Sequence, residues 1–283
     1  MLNLHLDRAL SVYLCHPLTR RLNGWRRRIP ILMYHSIREG TEARHAYYET
    51  TTSPRVFARH MKFLHENGYR AMEWDEIAQS ALGSSTPKPA VITFDDGYAD
   101  FYRQAFPILS EYSFTATVYV ITGLLKPERT CFKGTECLTL SEVRELHSRG
   151  MTFGSHTVTH PDLRFLKPDE VEHELSCSKK SLEDALGAPV KSFAYPYAFP
   201  EADRRFVSSL TDLLSKCGYE NGVTTILGTA QPGANRFFLP RLPVNTWDDL
   251  TFFQAKLEGA YDWLHGPQYV YKAIRGFLSP RLS

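Results

Sequence analysis

Cysteine is scarce. The 283 residues hold five, Cys15, Cys131, Cys137, Cys177 and Cys217. An odd count at irregular spacing, with no C-x-x-C pair, excludes a small disulfide-stapled secreted scaffold and a zinc-ribbon type of site. Free, mostly buried thiols are the plain reading, although Cys131 and Cys137 enclose a short loop and could pair under oxidising conditions. No apolar run approaches the roughly 18 residues that a membrane-crossing helix needs, so none is expected. An excess of one charge is missing too: 33 Lys and Arg face 31 Asp and Glu, for a net charge of +2. That balance gives no electrostatic case for a nucleic-acid partner. Residues 30–283 show no internal repeat, no low-complexity block and no linker. What is present is 43% hydrophobic and 13% aromatic residues, enough to fill a sizeable core and too much for a disordered or collagen-like chain.

The small net charge is unevenly spread. Residues 1–28 carry Arg8, Arg20, Arg21, Arg26, Arg27 and Arg28 against Asp7 alone, a local +5, which leaves −3 for residues 29–283. Leu6, Leu10, Tyr13 and Leu14 recur at helical spacing. A basic amphipathic arm of this kind can lie on an anionic membrane surface or dock on the body of the protein beside a solvated linker. The arm makes a poor secretory signal, because Asp7 and Arg8 interrupt a short apolar stretch and no small-residue cleavage site follows. A cytoplasmic or membrane-peripheral location is therefore expected rather than export. The chain divides into this arm, 1–28, and one catalytic domain, 29–283.

From Pro30 onward strands and helices alternate. Residues 31–35, 90–94, 114–121, 151–154, 191–194, 219–226 and 237–241 read as strands. Ser53-Pro54 is a helix start with Ser as N-cap and Pro in the first turn, and Gly68 ends that helix. Residues 101–112, 168–187, 200–218 and 248–264 read as further helices, with Pro107 expected to kink the first of them. Thr139-Leu-Ser-Glu142 is a capping box before another helix, and residues 122–138 read as a loop. Strands every 30 to 40 residues with helices between them imply parallel βα units, hence an α/β fold in one barrel-like domain.

In such a barrel the strand ends meet at one rim, where reactive residues gather. Strand 31–35 ends in His35, strand 90–94 runs into Asp95-Asp96-Gly97, strand 151–154 into Ser155-His156-Thr-Val-Thr-His160, and strand 191–194 into Tyr195-Pro196-Tyr197. His156 and His160, four apart, can present two imidazoles to one ion, and Asp96 adds a carboxylate. Two His and one Asp with open positions suit a catalytic divalent metal, zinc or a related first-row ion. Neighbouring aspartates cannot face one ion alike, so Asp96 is the candidate ligand and Asp95 the candidate general base toward water. Alone, Asp95-Asp96-Gly97 would be read as a turn and helix cap; the histidine pair on another strand end reverses that reading.

These two stretches, Thr93-Phe-Asp-Asp-Gly97 and Ser155-His-Thr-x-x-His160-Pro-Asp-Leu, resemble the motifs of the polysaccharide deacetylase family, also called carbohydrate esterase family 4 or the NodB homology domain. The likeness spans roughly residues 30–245, and motif order and separation match. The resemblance implies a distorted (β/α)7-type barrel and a metal-dependent amidase that removes N-acetyl groups from amino sugars of a poly- or oligosaccharide. It implies Asp95 as base and Asp96, His156 and His160 as ligands of one divalent ion, with Zn first and Co, Ni, Mn or Fe as alternatives. The family's late Leu-x-His motif, whose histidine is the general acid, is missing; the only late histidine is His265, in Leu-His-Gly. Leu32-Met-Tyr-His35-Ser-Ile near the N-terminus instead resembles the circularly permuted branch, which includes poly-N-acetylglucosamine and surface-polysaccharide deacetylases. On that reading His35 protonates the leaving amine, with a buried structural histidine as the other reading and His265 as the competitor.

The family's Arg-x-Pro-Tyr-Gly motif reads Ala194-Tyr-Pro-Tyr197-Ala198 here. Tyr197 can still offer its backbone N–H to an oxyanion, but the arginine that orients the catalytic aspartate is absent. Arg241, in Leu-Pro-Arg241-Leu-Pro at the end of the last strand, is the candidate substitute. Tyr48, Tyr195 and Trp247 could stack on sugar rings at the rim or simply edge the core. Asp162 follows His160 as an outer partner of the site or a cap. His60, His65, His147 and His173 fall on helices and are expected partly exposed, without a role. A same-fold hydrolase of another C–N bond or of an ester, and a non-catalytic glycan-binding domain, are the competing functions.

Overall fold

The computed structural model describes residues 6–22, 28–40, 49–79, 88–231 and 233–278. Seven strands, β1 (Ile31–Tyr34), β2 (Lys88–Phe94), β3 (Thr117–Val120), β4 (Thr152–Ser155), β5 (Ser192–Ala194), β6 (Asn221–Leu227) and β7 (Leu239–Pro243), pair in chain order, all parallel. β1 also pairs with β7, Leu32 opposite Leu242, which closes the sheet into a barrel. A short strand, Tyr69–Ala71, extends β2 outside the closed ring. This is the expected single α/β barrel of seven βα units.

Side chains alternate across the barrel wall, as they must in a strand. Ile31, Val91, Tyr119, Val223 and Leu239 belong to a small buried cluster inside, while Leu32, Ile92, Val118 and Leu242 join the large core between strands and helices. Tyr119 fills the interior and shares a hydrogen bond with Ser192 Oγ (2.6 Å). A Cβ on Gly154 would stand 2.4 Å from its ring, so only glycine fits on β4 there.

The helices form where their caps demand. Pro54–Glu66 is capped by Ser53 and Leu140–Ser148 by the Thr139/Glu142 box, and Pro168–Leu186 ends at left-handed Gly187. Several boundaries move. The helix expected from residue 200 begins at Arg204, because Asp203 is its cap. Pro107 sits where a π-helical turn, Phe101–Ala105, passes without a break into an α-helix, Phe106–Glu111; the wide turn is the local distortion that accommodates a residue with no N–H to give. The expected 248–264 helix is Leu250–Leu257 followed by a 3-10 turn, and an unexpected helix, His265–Leu278, follows it. The expected loop 122–138 carries a two-stranded ribbon, Cys131–Phe132 with Thr135–Glu136. All five cysteines are free.

The N-terminal arm docks on the body. Ser11 and Val12 are buried, Tyr261 OH donates to Asp7 (3.2 Å), Trp263 Nε1 to Ser11 Oγ (3.0 Å), and Arg8 pairs with Asp249. The expected apolar face of Leu6, Leu10, Tyr13 and Leu14 points away from the protein. Arg26 and Arg27 lie outside the described residues. Among the described residues no helix is long and apolar enough to cross a membrane.

Candidate metal and catalytic site

The barrel register brings the strand ends together. β1 and β2 run side by side with Tyr34 opposite Phe94, so the next residues, His35 and Asp95, emerge as neighbours. Their Nε2 and Oδ2 atoms are 3.9 Å apart. Arg241, two strand positions beyond Leu239 and so pointing inward, reaches the same carboxylate from β7. Its Nη1 and Nη2 donate to Asp95 Oδ1 and Oδ2, each at 2.7 Å, and its Nε donates to Thr224 O (2.9 Å). This bidentate fork is fully buried. Burial alone would raise the Asp95 pKa, but the Arg241 guanidinium holds it below the ordinary carboxylate range. Burial lowers the pKa of His35, against the pull of Asp95 and Asp96.

Asp96 turns away from its neighbour through a left-handed backbone, φ 68°. Its Oδ1 stands 3.4 Å from both His156 Nε2 and His160 Nε2. One ligand atom from each of the three residues lies within 4.8 Å of the others, and all three side chains are buried. The donor chemistry fits a divalent ion. His156 Nδ1–H donates to Ala194 O (2.8 Å), which fixes the tautomer and aims the Nε2 lone pair at Asp96. Burial, with His156 alongside, pulls His160 down to about 4, so its imidazole is neutral. Burial pushes Asp96 up, but the two imidazoles and His35 bring it below the ordinary carboxylate range.

The histidine loop is held under strain. Thr157 and His160 both have positive φ, 67° and 59°, and Tyr197 across the site has 58°. Each such residue costs about 1–3 kcal/mol and persists only where its surroundings enforce it. Glu174, on the helix Pro168–Leu186, is the enforcing group. Its buried carboxylate accepts from Val158 N (2.7 Å), Thr159 N (3.0 Å) and Thr159 Oγ1 (2.7 Å). Gly123 N donates to Val158 O on the other side (2.8 Å), and a Cβ at Gly123 would overlap that oxygen. Glu174→Gln should lower metal affinity about tenfold, read by ion titration of the apoprotein, with a lower melting temperature. Unchanged ion affinity would mean that the loop needs no such hold.

Tyr197 lies at the mouth, 46% exposed, its ring 4.6 Å from that of His160. Its carbonyl accepts from Thr225 Oγ1 (3.0 Å); among the described residues nothing takes its backbone N–H. The 131–136 ribbon arches over the same spot, with Phe132 5.0 Å from the His160 ring and Lys133 Nζ 4.7 Å from the Phe132 ring. Sequence reading missed this ribbon. Its signal was the two-residue Lys133-Gly134 tip, both with positive φ, which a tight hairpin requires. Tyr98 was missed too; its burial, with the Asp96 carboxylate nearby, raises its pKa.

Other expectations are corrected. Tyr195 is 2% exposed and packs edge-on against Phe199, so it cannot stack on a sugar. His60 is buried between Tyr34 OH (3.2 Å) and Asp248 O (2.8 Å) and stacks on Phe253; it is no surface residue. His65 and His173 are exposed and His147 half-buried, as expected. Asp162 caps the turn Leu163–Phe165 and pairs with Arg164. His265 sits on Glu201 (2.9 Å), whereas His35 is the histidine at Asp95. Trp247 is exposed, and Tyr48 lies outside the described residues.

The polysaccharide deacetylase family model matches residues 83–221. A Bacillus subtilis (strain 168) protein named as a polysaccharide deacetylase, YxkH, is 30% identical over 233 residues, covering 82% of this chain and 76% of its own length. This chain belongs to the polysaccharide deacetylase family. Staphylococcus aureus poly-β-1,6-N-acetyl-D-glucosamine N-deacetylase is 24% identical, over 76% of this chain and 78% of its own length. Among solved structures, the Streptococcus pyogenes deacetylase PplD, in complex with acetate, superposes with a TM-score of 0.69 at 30% identity, over 81% of this chain and 98% of that one. IcaB from Ammonifex degensii, at 23% identity and a TM-score of 0.66, shares the fold. The family is one of hydrolases that cleave N-acetyl amide bonds, and the buried Asp96–His156–His160 group is one that can hold a metal ion.

Proposed function

We propose that this enzyme removes N-acetyl groups from amino sugars of a poly- or oligosaccharide, with a Zn-class ion at Asp96, His156 and His160. The observation that carries the reading is the buried Arg241–Asp95 fork, with His35 beside it, next to a three-donor metal group. A divalent ion there would supply Lewis-acid polarisation of the acetamide and acidify the attacking water. The chain's own groups do the rest. Asp95, kept ionised and aimed by Arg241, takes a proton from that water as it attacks the carbonyl carbon. The Tyr197 N–H donates to the oxygen that gains negative charge. His35, from its Nε2–H, gives a proton to the departing nitrogen and regains one from Asp95, 3.9 Å away, so acetate and a free amine leave and both groups are reset. Tyr197 and Phe132 offer rings at the mouth for the sugar.

Acetate release from a panel of N-acetylated glycans, with and without chelator, tests the reading. Release from at least one glycan, abolished by chelator and restored by Zn or Co, is the expected result. Cleavage of aryl esters or cyclic amides but of no acetylated sugar would favour a different hydrolase. Glycan binding without turnover at full metal occupancy would make the domain a binding module.

A further inference from the structure

The chain's apolar and basic surfaces coincide at its two ends. Twelve large apolar side chains are exposed among the described residues, and nine of them belong to the helical arm of 6–22 or to the helix His265–Leu278. The first group includes Leu6 at 63% exposure and Tyr13 at 74%; the second includes Tyr269, Val270 and Ile274. Surface apolar residues scattered singly need no explanation, but a concentration like this one marks a contact.

The arm is amphipathic the wrong way round for a helix that only serves the core. Four polar groups face inward, Asp7 to Tyr261, Arg8 to Asp249, Ser11 to Trp263 and His16 to Glu258 (2.8 Å), with Val12 packed between them, while Leu6, Leu10, Tyr13 and Leu14 face out beside Arg20 and Arg21. Trp263, which holds Ser11, stands two residues before His265, so the outer helix begins where the arm is anchored. One short turn thus links the anchored arm to the outer helix.

Charge selects the occupant. Residues 1–28 carry +5 and residues 265–283, with Lys272, Arg275 and Arg281 and no acid, carry +3; residues 29–264 then carry −6. Asp249, Glu258 and Asp262 of the body pair with the arm, which reduces the two terminal segments with these partners to +5 and leaves −3 for the rest of the chain. A second copy docking there would meet a face of its own sign, because a two-fold contact sets a surface against itself. An anionic bilayer matches both properties: apolar side chains enter the headgroup boundary and arginines meet the lipid charge.

We propose that these two terminal helices form a peripheral docking face for an anionic membrane surface. The face adjoins the catalytic rim. Gln268 Nε2 (2.9 Å) and Lys272 Nζ (3.2 Å), on the outer helix, both donate to Thr225 O, and Thr225 holds Tyr197. Docking brings the site mouth next to the lipid, where surface-attached glycan is met.

Co-sedimentation of the full chain with phosphatidylcholine vesicles, with and without phosphatidylglycerol, tests this. The chain should pellet with the anionic vesicles and not the neutral ones, and raised salt should release it. Tyr13→Ser with Leu14→Ser should cut the partition coefficient about tenfold or more, and Arg21→Glu about fivefold. Both sites are exposed, so the melting temperature and turnover of a soluble substrate should stay at wild-type values. The proposal is overturned if the wild-type chain ignores anionic vesicles, if these variants bind as it does, or if the serine pair instead dissolves a dimer seen without lipid.

Discussion

Asp95→Asn should keep its metal and lose its turnover, whereas Asp96→Asn should lose the metal itself. The two residues are adjacent in sequence and buried alike, yet the left-handed turn at Asp96 sends their carboxylates to different partners. Asp95 is clasped by Arg241, and Asp96 faces two imidazole nitrogens at 3.4 Å. Removing a general base lowers rate by about 10²–10⁴-fold, so acetate release by Asp95→Asn should fall by about a thousandfold at wild-type ion content. For Asp96→Asn, elemental analysis after dialysis should show most of the ion gone. The opposite pattern, metal lost at Asp95 and retained at Asp96, would exchange their roles and sink the mechanism.

Arg241→Ala should damage stability and catalysis together. A buried guanidinium with both faces of its fork on one carboxylate is not a surface ion pair. Deleting it strands the Asp95 charge in the barrel, which costs about 3–5 kcal/mol. The melting temperature should fall by on the order of 10 °C. The freed carboxyl then favours its protonated form, because burial is the largest influence on it and the opposing cation is gone. A protonated Asp95 cannot act as base, so acetate release should drop by at least about a hundredfold. The double variant Arg241→Ala with Asp95→Ala should be more stable than Arg241→Ala alone, because no lone charge is left inside. An Arg241→Ala protein with wild-type stability and rate would remove Arg241 from the site.

The rim residues were legible because parallel βα units put every strand end on one side: His35, Asp95 and His156 each directly follow a β-rich run, and Asp96 and His160 lie in the loops that continue from them. Arg241 was legible only as a candidate. Its partnership depends on which strands adjoin, and β7 reaches Asp95 because the ring closes. Closure register is a property of the whole sheet, written in no local pattern. His60 shares a helix face with Phe57, Met61 and Leu64, so its burial was written in the spacing and was read past. The helix His265–Leu278 hides behind Gly266 and Pro267, which look like a chain end but occupy its first turn, where proline is at home. At the N-terminus the spacing identified an amphipathic helix and said nothing of which side meets the protein.

The ring is sealed by its first and last strands. His35 hangs from one lip of that seam and Arg241 from the other, and Arg241 reaches across to Asp95 on β2, 146 residues away along the chain. Closing a loop of that length is entropically costly, and only the completed ring repays it. Asp96, His156 and His160 hang from β2 and β4, away from the seam. A break between β1 and β7 should therefore cost Asp95 its clasp and leave the three-donor group whole.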